Sequence, residues 1–255
     1  MSESLVMERL QANLSRLRLG RASAVLSDIA AAAQQQSKSH LDFLDELLEE
    51  EVANKEQHRI EKTLKKAGLP FVKTVDEFDF PFQQKLDKQQ VKSLFDLSFI
   101  ERKENVIFLG PPGVGKTHLA VALAVKACRA GITICFISMA DLIVSLKRDH
   151  SYPGTRRKPN YLTSTLVIVD EVGYTPVARE ECNLFFRFIS QRYEHASTII
   201  TSNKAFGDWA ELFSDPVIVT AILDRLLHHS IVINIKGNSY RLRNKIGKET
   251  LEQYT

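Results

Sequence analysis

Downstream of Pro70, short apolar segments alternate with amphipathic ones. The apolar segments are rich in β-branched residues and almost free of polar positions, which is typical of strands covered on both faces. Strands are predicted at 105–110, 132–138, 165–170, 197–202 and 230–235. Helical periodicity predicts helices between them at 117–130, 140–148, 179–194 and 217–228. This alternation predicts an α/β fold, with a five-stranded parallel sheet between helices.

The first 70 residues show a pattern that is helical throughout. The segment KKAGLP predicts the end of a long helix, because it places basic residues, a glycine suited to a left-handed C-cap and Pro70 in succession. An earlier helix is predicted around residues 5–19, and we interpret AAAAQQQSKSH as the segment that separates the two. The pattern predicts a small helical domain over 1–70 and an α/β domain over 71–255. The apolar positions with helical spacing in the long helix are Leu41, Leu44, Leu48, Val52, Ile60 and Leu64.

Composition narrows the class of protein. A hydrophobic fraction of 44% and a charged fraction of 25% exclude a mostly disordered or collagen-like chain. No apolar run is long enough to span a bilayer, and the N-terminus has no signal-peptide core. The three cysteines are too few and too scattered for a disulfide framework or a zinc site. We therefore expect a cytoplasmic protein with no membrane partner.

The net charge of +3 does not decide whether the protein binds nucleic acid, because binding depends on where the charges cluster. Lysines and arginines that contact phosphates bind DNA with little sequence preference and strong salt dependence. A solvated surface explains each basic cluster equally well. The candidate DNA contacts are Arg148, Arg156, Arg157 and Lys158 in one segment, and Arg243 and Lys245 in a C-terminal run without acids.

The strongest chemical motif is GPPGVGKT at 110–117, which matches the phosphate-binding loop pattern and lies between a predicted strand and a predicted helix. Its glycines let backbone N–H groups surround a phosphate, and the helix N-terminus adds a favourable partial charge. We expect Lys116 to bridge the β- and γ-phosphates and the Thr117 hydroxyl to bind Mg²⁺. The candidate nucleotide-binding residues are Gly110, Pro111, Pro112, Gly113, Val114, Gly115, Lys116, Thr117 and His118.

Two acids, Asp170 and Glu171, end the third predicted strand. Ligands bind at the carboxyl ends of the strands in open parallel sheets. Asp170 is a candidate Mg²⁺ ligand, and Glu171 is a candidate for orienting and deprotonating an attacking water. A water-activating acid favours a hydrolase over a small-molecule kinase, whose substrate supplies the nucleophile.

Two further polar residues stand beside predicted strands. Asn203 follows the fourth strand, where an amide is able to hydrogen-bond the attacking water or the γ-phosphate; capping of the next turn is the alternative. Arg225 is a single cation among leucines on the helix before the fifth strand. It is either a surface residue or, in a ring-forming ATPase, an arginine finger supplied to the next subunit.

Four segments together resemble the AAA+ ATPases of the initiator clade: GPPGVGKTHLA, LVIVDEVGY, TIITSNKAFGDW and LDRLLHHSIVINIKGNSYRLR. More narrowly, the chain is similar to the IstB-type transposition helper ATPases of bacterial insertion sequences. The resemblance implies an AAA+ P-loop core with ATP and Mg²⁺ as cofactors and a much reduced C-terminal lid. It implies catalytic roles for Lys116, Glu171, Asn203 and Arg225, with Asn203 as the γ-phosphate sensor. Arg241 matches a second nucleotide sensor, or belongs to a basic tail that faces DNA.

The resemblance also implies partners. IstB-type subunits assemble into a spiral or ring around duplex DNA and recruit an IstA-type transposase, and ATP hydrolysis drives disassembly. In this resemblance the helical domain 1–70 binds DNA or a partner, and residues 71–255 form the ATPase domain. DnaC-type helicase loaders share the core, so a replicative helicase loader is the alternative. The charges of 1–70, ten basic and eleven acidic, do not separate the two.

Overall fold

The computed structural model describes residues 3–151 and 158–243, and the chain divides into two compact units, Met1–Lys62 and Thr63–Thr255. No helix among these described residues has the length and apolar composition needed to cross a membrane. The helices are α1 Glu3–Arg16, α2 Gly20–Gln35, α3 His40–Ala67, α4 Lys88–Ser93, α5 Ser98–Glu101, α6 Lys116–Arg129, α7 Met139–Ser151, α8 Asn160–Thr163, α9 Arg179–Arg192, α10 Trp209–Leu212 and α11 Pro216–His228. The strands are β1 Asn105–Leu109, β2 Ile134–Ser138, β3 Leu166–Val172, β4 Ser197–Ser202 and β5 Ser230–Asn234.

The first unit is helical, as predicted, and has its own small apolar cluster. Leu26 and Ile29 of α2 pack with Leu47 of α3 in this cluster. The buried Glu51 accepts a hydrogen bond from the backbone N–H of Ala22 at 2.9 Å. That N–H lies in the first turn of α2, where backbone donors have no partner within the helix, so Glu51 stabilises the start of α2.

Two details of the first unit differ from the prediction. The segment 30–40 is not simply a separator, because its alanines and first glutamines continue α2 to Gln35. Alanine has the highest intrinsic helix propensity, which explains why the helix runs through this segment. The predicted long helix is α3, but Leu41 and Val52 are 78% and 67% exposed, and its buried positions include Leu47 and Glu51.

In the second unit, the predicted five-stranded parallel sheet is confirmed, with the strand order β2-β3-β4-β1-β5. Alternate residues of β1 contact opposite cores: Val106 and Phe108 belong to one apolar cluster, and Ile107 and Leu109 to the other. Every residue of β1 is buried. Helices therefore cover both faces of the sheet, which explains why its strands lack the polar alternation of a half-exposed sheet.

The strand order brings three chemically important segments together. Strand β4 lies between β1 and β3, so the loop after β1 and the acids of β3 are separated only by the end of β4. Strand β3 runs beyond its predicted end to Val172, and its register with β4 shifts between Val169 and Val172. The described residues after β5 contain one 3-10 turn, Tyr240–Leu242, whereas most of the predicted reduced lid lies outside the described residues.

Candidate functional site

The loop between β1 and α6 is folded closely against its surroundings. Gly115 caps the start of α6 with φ of 102°, and a Cβ at this position would collide with the ring of Phe78. Gly113 has φ of 81°, and a Cβ there would collide with the side chain of Ser239. A side chain at either position would be both strained and sterically blocked, so the loop requires glycine at both.

Lys116, the first residue of α6, is a buried cation held by backbone carbonyls. Its Nζ donates to the carbonyl oxygens of Gly110 and Pro111 at 2.6 and 2.8 Å. Burial lowers the pKa of Lys116 to about 8. The positive charge of Arg241 also lowers this pKa, whereas the carboxylates of Asp170 and Glu171 raise it. A buried cation whose charge is only partly compensated is well suited to receive an anionic ligand such as a phosphate.

Thr117 and Asp170, the two candidate Mg²⁺ ligands, lie in direct contact. The Thr117 hydroxyl donates to the Asp170 carboxylate, with its oxygen 2.9 Å from Oδ1 and 3.2 Å from Oδ2. The Thr201 hydroxyl on β4 donates to the same Oδ1 and accepts a hydrogen bond from the backbone N–H of Glu171 at 3.0 Å. A carboxylate and a hydroxyl at this distance are hard oxygen donors of the kind that Mg²⁺ prefers, so these residues fit a magnesium ion.

Glu171 is the residue after Asp170 and lies where the register between β3 and β4 shifts. Its side chain faces the cleft. Its φ of 62° is uncommon for a residue other than glycine. Irregularities of this kind turn a side chain away from its place in the regular sheet. The exposed carboxylate of Glu171 lines the same cleft as Lys116 and Thr117. Backbone strain beside a ligand cleft is a feature of functional sites, and here Thr201 supports the strained backbone.

The structure places Asn203 beside the loop that follows β3. Its Oδ1 is buried and has no hydrogen-bond partner among the described residues. A Cβ on Gly173 would lie 2.8 Å from this atom, so Asn203 packs against the segment that carries Glu171. The turn after β4 is held instead by Ser202, whose hydroxyl accepts from the Lys204 backbone N–H. The capping role weighed for Asn203 is therefore performed by its neighbour.

The two candidate arginines lie in different places. Arg241 lines the cleft, whereas Arg225 on α11 is not one of the cleft residues. The guanidinium of Arg225 lies 4.6 Å from the centre of the Phe186 ring and donates to the carbonyl oxygen of Ala221 at 3.2 Å. Arg225 thus lies apart from the other candidates. Five of those candidates converge within one chain: Lys116, Thr117, Asp170, Glu171 and Arg241.

One wall of the cleft comes from the segment before β1, which the sequence analysis did not identify. The cleft has a volume of about 450 Å³, within the range of small-molecule sites. His118 Nε2 lies 3.0 Å from the carbonyl oxygen of Thr74, and the rings of His118 and Phe78 meet edge to face. The sequence signal that could have predicted this wall is the group of aromatic residues in the segment FVKTVDEFDFPF, because aromatic side chains tend to pack against other parts of the protein. Lining residues that the sequence analysis missed are Phe71, Lys73, Glu77, Phe78, Asp79, Gln83, Tyr174, Thr201 and Tyr240.

The candidate DNA contacts differ in their surroundings. Arg148 Nε lies 3.2 Å from Asp149 Oδ1. Arg243 Nη1 lies 2.6 Å from Asp79 Oδ2, and its guanidinium also contacts the ring of Tyr240. Lys158 is exposed, and Arg156, Arg157 and Lys245 lie outside the described residues.

Comparison with known proteins identifies relatives over nearly the whole chain. Residues 12–248 match the family described as IstB-like ATP binding protein. The chain is 47% identical over 240 residues to an ATP-binding protein of insertion sequence IS21 from Pseudomonas aeruginosa, covering 94% of this chain and 91% of that protein. It is 43% identical over 239 residues to the ATP-binding protein of insertion sequence IS5376 from Geobacillus stearothermophilus, covering 93% of this chain and 95% of that protein.

Solved structures share the fold. The DnaC helicase loader matches with a TM-score of 0.51 at 25% identity, over 69% of this chain and 99% of that chain. DnaA from Aquifex aeolicus matches with a TM-score of 0.52 at 20% identity, over 71% of this chain and 58% of that chain. The predicted AAA+ P-loop fold is confirmed by these likenesses. The family match over 12–248 and the identity and coverage of the sequence matches show that the chain belongs to the IstB-like family of insertion-sequence ATP-binding proteins.

Proposed function

We propose that the protein hydrolyses ATP to ADP and phosphate in the cleft beside α6. The observation that carries this proposal is the hydrogen-bonded set of Thr117, Asp170 and Thr201, which places Glu171 in the same cleft as Lys116. Backbone N–H groups of the loop would bind the phosphates. Lys116 would exchange the two loop carbonyls for β- and γ-phosphate oxygens.

The remaining residues divide the chemistry between them. Thr117 and Asp170 would hold Mg²⁺, which neutralises charge on the phosphate oxygens. Glu171 would orient the attacking water and accept its proton. Asn203, whose buried Oδ1 has no partner among the described residues, would accept a hydrogen bond from the water or donate one from its Nδ2 to the γ-phosphate, and Arg241 would contact the nucleotide from its position in the cleft.

Arg225 is proposed to complete the site of a neighbouring copy. Its guanidinium lies over Phe186, and the residues that line its own chain's cleft do not include it. An arginine supplied by a second subunit stabilises transition-state charge in many nucleotide hydrolases. ATP in one copy would then favour side-by-side association with the next, which leads to a spiral or ring.

The biological context comes from the relatives, whose names place them in insertion sequences. We propose that this chain assembles on duplex DNA with little sequence preference, recruits or regulates an IstA-type transposase, and disassembles when ATP is hydrolysed. Residues 1–70 would bind DNA or a partner, and residues 71–255 would be the ATPase domain. The exposed Lys158 and Lys236 are available for phosphate contacts. The proposed location is the bacterial cytoplasm.

A replicative helicase loader is the second candidate, because the DnaC loader shares the fold at 25% identity. The insertion-sequence relatives favour the first candidate, since the Pseudomonas protein is 47% identical over 94% of this chain. Pull-down of full-length protein with a transposase and with a hexameric helicase, each with ATP, separates the two. Capture of the helicase alone would overturn the transposition role.

Sedimentation of the full chain with duplex DNA tests the nucleotide-controlled assembly. A slowly hydrolysed ATP analogue is expected to produce large protein–DNA complexes, whereas ADP leaves small ones. Several duplexes of unrelated sequence should perform alike. Equal assembly with ADP would contradict the proposal, and a strong preference for one duplex would contradict its sequence tolerance, because base contacts would then carry the affinity.

A further inference from the structure

Two histidines and a glutamate form a cluster that has no part in the nucleotide cleft. One donor atom from each of Glu194, His228 and His229 lies within 4.8 Å of the other two. His228 is the last residue of α11, His229 is its C-cap, and Glu194 lies two residues beyond the end of α9. The histidines belong to the segment LDRLLHHS, in which only Arg225 has a proposed role. The proposed nucleotide site therefore does not explain why these three side chains lie together.

The side chains of the cluster are close, and the backbone of His229 is hydrogen-bonded to the start of a strand. His229 Nε2 lies 3.9 Å from Glu194 Oε1, and the two imidazole centres are 4.0 Å apart. The carbonyl oxygen of His229 accepts a hydrogen bond from the backbone N–H of Asn105 at 2.8 Å, which attaches this point to the start of β1. Glu194 has φ of 60°, an unusual conformation for a residue with a side chain. Such backbone strain is concentrated at functional sites.

A hydroxyl group orients one of the imidazoles. The Tyr193 hydroxyl lies 2.7 Å from His228 Nδ1. When this hydroxyl accepts a hydrogen bond from the Nδ1–H group, the Nε2 lone pair of His228 is free for another partner. Metal-binding histidines are held in this way, with one nitrogen on the metal and the other donating to an oxygen. The cluster thus supplies three side chains with donor atoms, and Tyr193 orients the imidazole of one of them.

We propose that Glu194, His228 and His229 bind a divalent transition-metal ion, with Zn²⁺ as the best match, and so join the end of α9 to the end of α11. Two imidazole nitrogens and one carboxylate oxygen form a recognised zinc ligand set, in which water takes the fourth position. Mg²⁺ and Ca²⁺ prefer oxygen ligands alone, so the two imidazoles disfavour both. The three side chains are exposed and able to close around an ion by rotamer changes.

The proposed metal site is separate from the nucleotide site. The cluster lies where β5 begins, at the amino ends of the strands, whereas the nucleotide cleft lies at their carboxyl ends. Arg225 lies one helical turn before the histidines on α11, so a bound ion would fix the helix end nearest to the proposed arginine finger. Metal binding is nevertheless measurable without nucleotide or DNA, and its failure would leave the proposed ATPase untouched.

Titration of the full-length, tag-free protein with Co²⁺ tests the proposal, because cobalt in a zinc site absorbs visible light. One Co²⁺ per chain is expected, displaced by Zn²⁺, and Zn²⁺ should raise the thermal unfolding midpoint. His228→Asn, His229→Asn and Glu194→Gln should each weaken binding at least about tenfold, and Tyr193→Phe should weaken it by about 10- to 100-fold. His195→Asn is the matched control, since His195 is an exposed neighbour outside the cluster.

Two further measurements exclude binding elsewhere. Asp170→Asn should leave the titration unchanged, because Asp170 contacts Thr117 and is not part of the cluster. Cobalt bound by cysteine gives intense thiolate charge-transfer absorption, which should be absent. Circular dichroism verifies that each variant is folded. The proposal is overturned if folded wild-type protein does not bind Co²⁺, or if a folded double variant, His228→Asn with His229→Asn, binds as tightly as wild type.

Discussion

Thr117 and Asp170 are 53 positions apart in the sequence, yet the hydroxyl of one lies 2.9 Å from the carboxylate of the other. The contact forms because the loop after β1 and the end of β3 reach the same edge of the sheet, separated only by β4. Thr201, on β4, fills that gap and hydrogen-bonds both Asp170 and the backbone of Glu171. The site thus depends on three strands, and each of its proposed roles is testable.

Replacing Glu171 with glutamine should separate binding from hydrolysis. Glutamine keeps the size of the side chain and leaves Asp170 and Thr117 in place, but it cannot accept the proton of the attacking water. ATP affinity should remain within about threefold, and steady-state phosphate release should fall about 100-fold or more. Glu211→Gln, an exposed acid on α10, is the matched control and should hydrolyse normally. Loss of ATP affinity equal to that of Lys116→Ala would contradict this division of roles.

Thr201→Val should impair both stability and hydrolysis, because it removes the only hydroxyl that contacts Asp170 and Glu171 from β4 among the described residues. Thr201 is fully buried, so valine leaves the Glu171 N–H without its partner, at a cost of about 1–3 kcal/mol. Denaturant unfolding and phosphate release measure the two effects. Thr201→Ser keeps the hydroxyl and should preserve most of the hydrolysis rate. Equal rates for the serine and valine variants would exclude this positioning role.

ATP binding should weaken as the pH rises through about 8. Burial lowers the pKa of Lys116 to about 8 in the free protein. Phosphate oxygens favour the charged lysine and raise its pKa on binding, so above pH 8 the complex must take up a proton. The dissociation constant should increase by up to about tenfold per pH unit there. Calorimetry at pH 7 and pH 9 in buffers of different ionisation enthalpy measures the uptake; an affinity that is flat across this range would contradict it.

Much of the second unit was predictable, because its elements leave local signals. Strands such as β1 are apolar on both faces. The glycines of the loop between β1 and α6 occupy backbone conformations that other residues rarely adopt, so their positions in the sequence indicate the shape of the loop. Thr201 was missed because its importance depends on β4 lying between β1 and β3, and strand order has no local signal. The wall before β1 was missed because Phe78, Phe80 and Phe82 alternate as in a strand, whereas the segment folds into short 3-10 turns. Residues 30–35 were assigned to a separating segment although they belong to α2, because alanine favours a helix without marking a buried face.

The segment 156–158 remains a predicted DNA contact, and the salt dependence of binding tests it. Each phosphate contact adds just under one unit to the slope of log affinity against log salt concentration. Neutralising Arg156, Arg157 and Lys158 together to glutamine should reduce that slope and leave ATP affinity unchanged. An unchanged slope would assign these residues to a solvated surface. The matched control neutralises three exposed cations elsewhere: Lys92, Lys126 and Arg129.

The central claim is that the hydrolytic site is completed between two copies of the chain. Arg225→Ala keeps Glu171 but lacks the proposed finger, and Glu171→Gln keeps Arg225 but lacks the proposed base. Each variant alone, on duplex DNA, should release phosphate at least about 100-fold more slowly than wild type.

Steady-state phosphate release by an equimolar mixture of the two variants on duplex DNA tests this claim most directly. Where a Glu171→Gln copy donates Arg225 to an Arg225→Ala copy, one complete site forms, so we expect the mixture to recover about a quarter of the wild-type rate under random pairing. A mixture that stays as slow as the average of the two separate variants, although both still assemble on DNA with ATP, would contradict the claim.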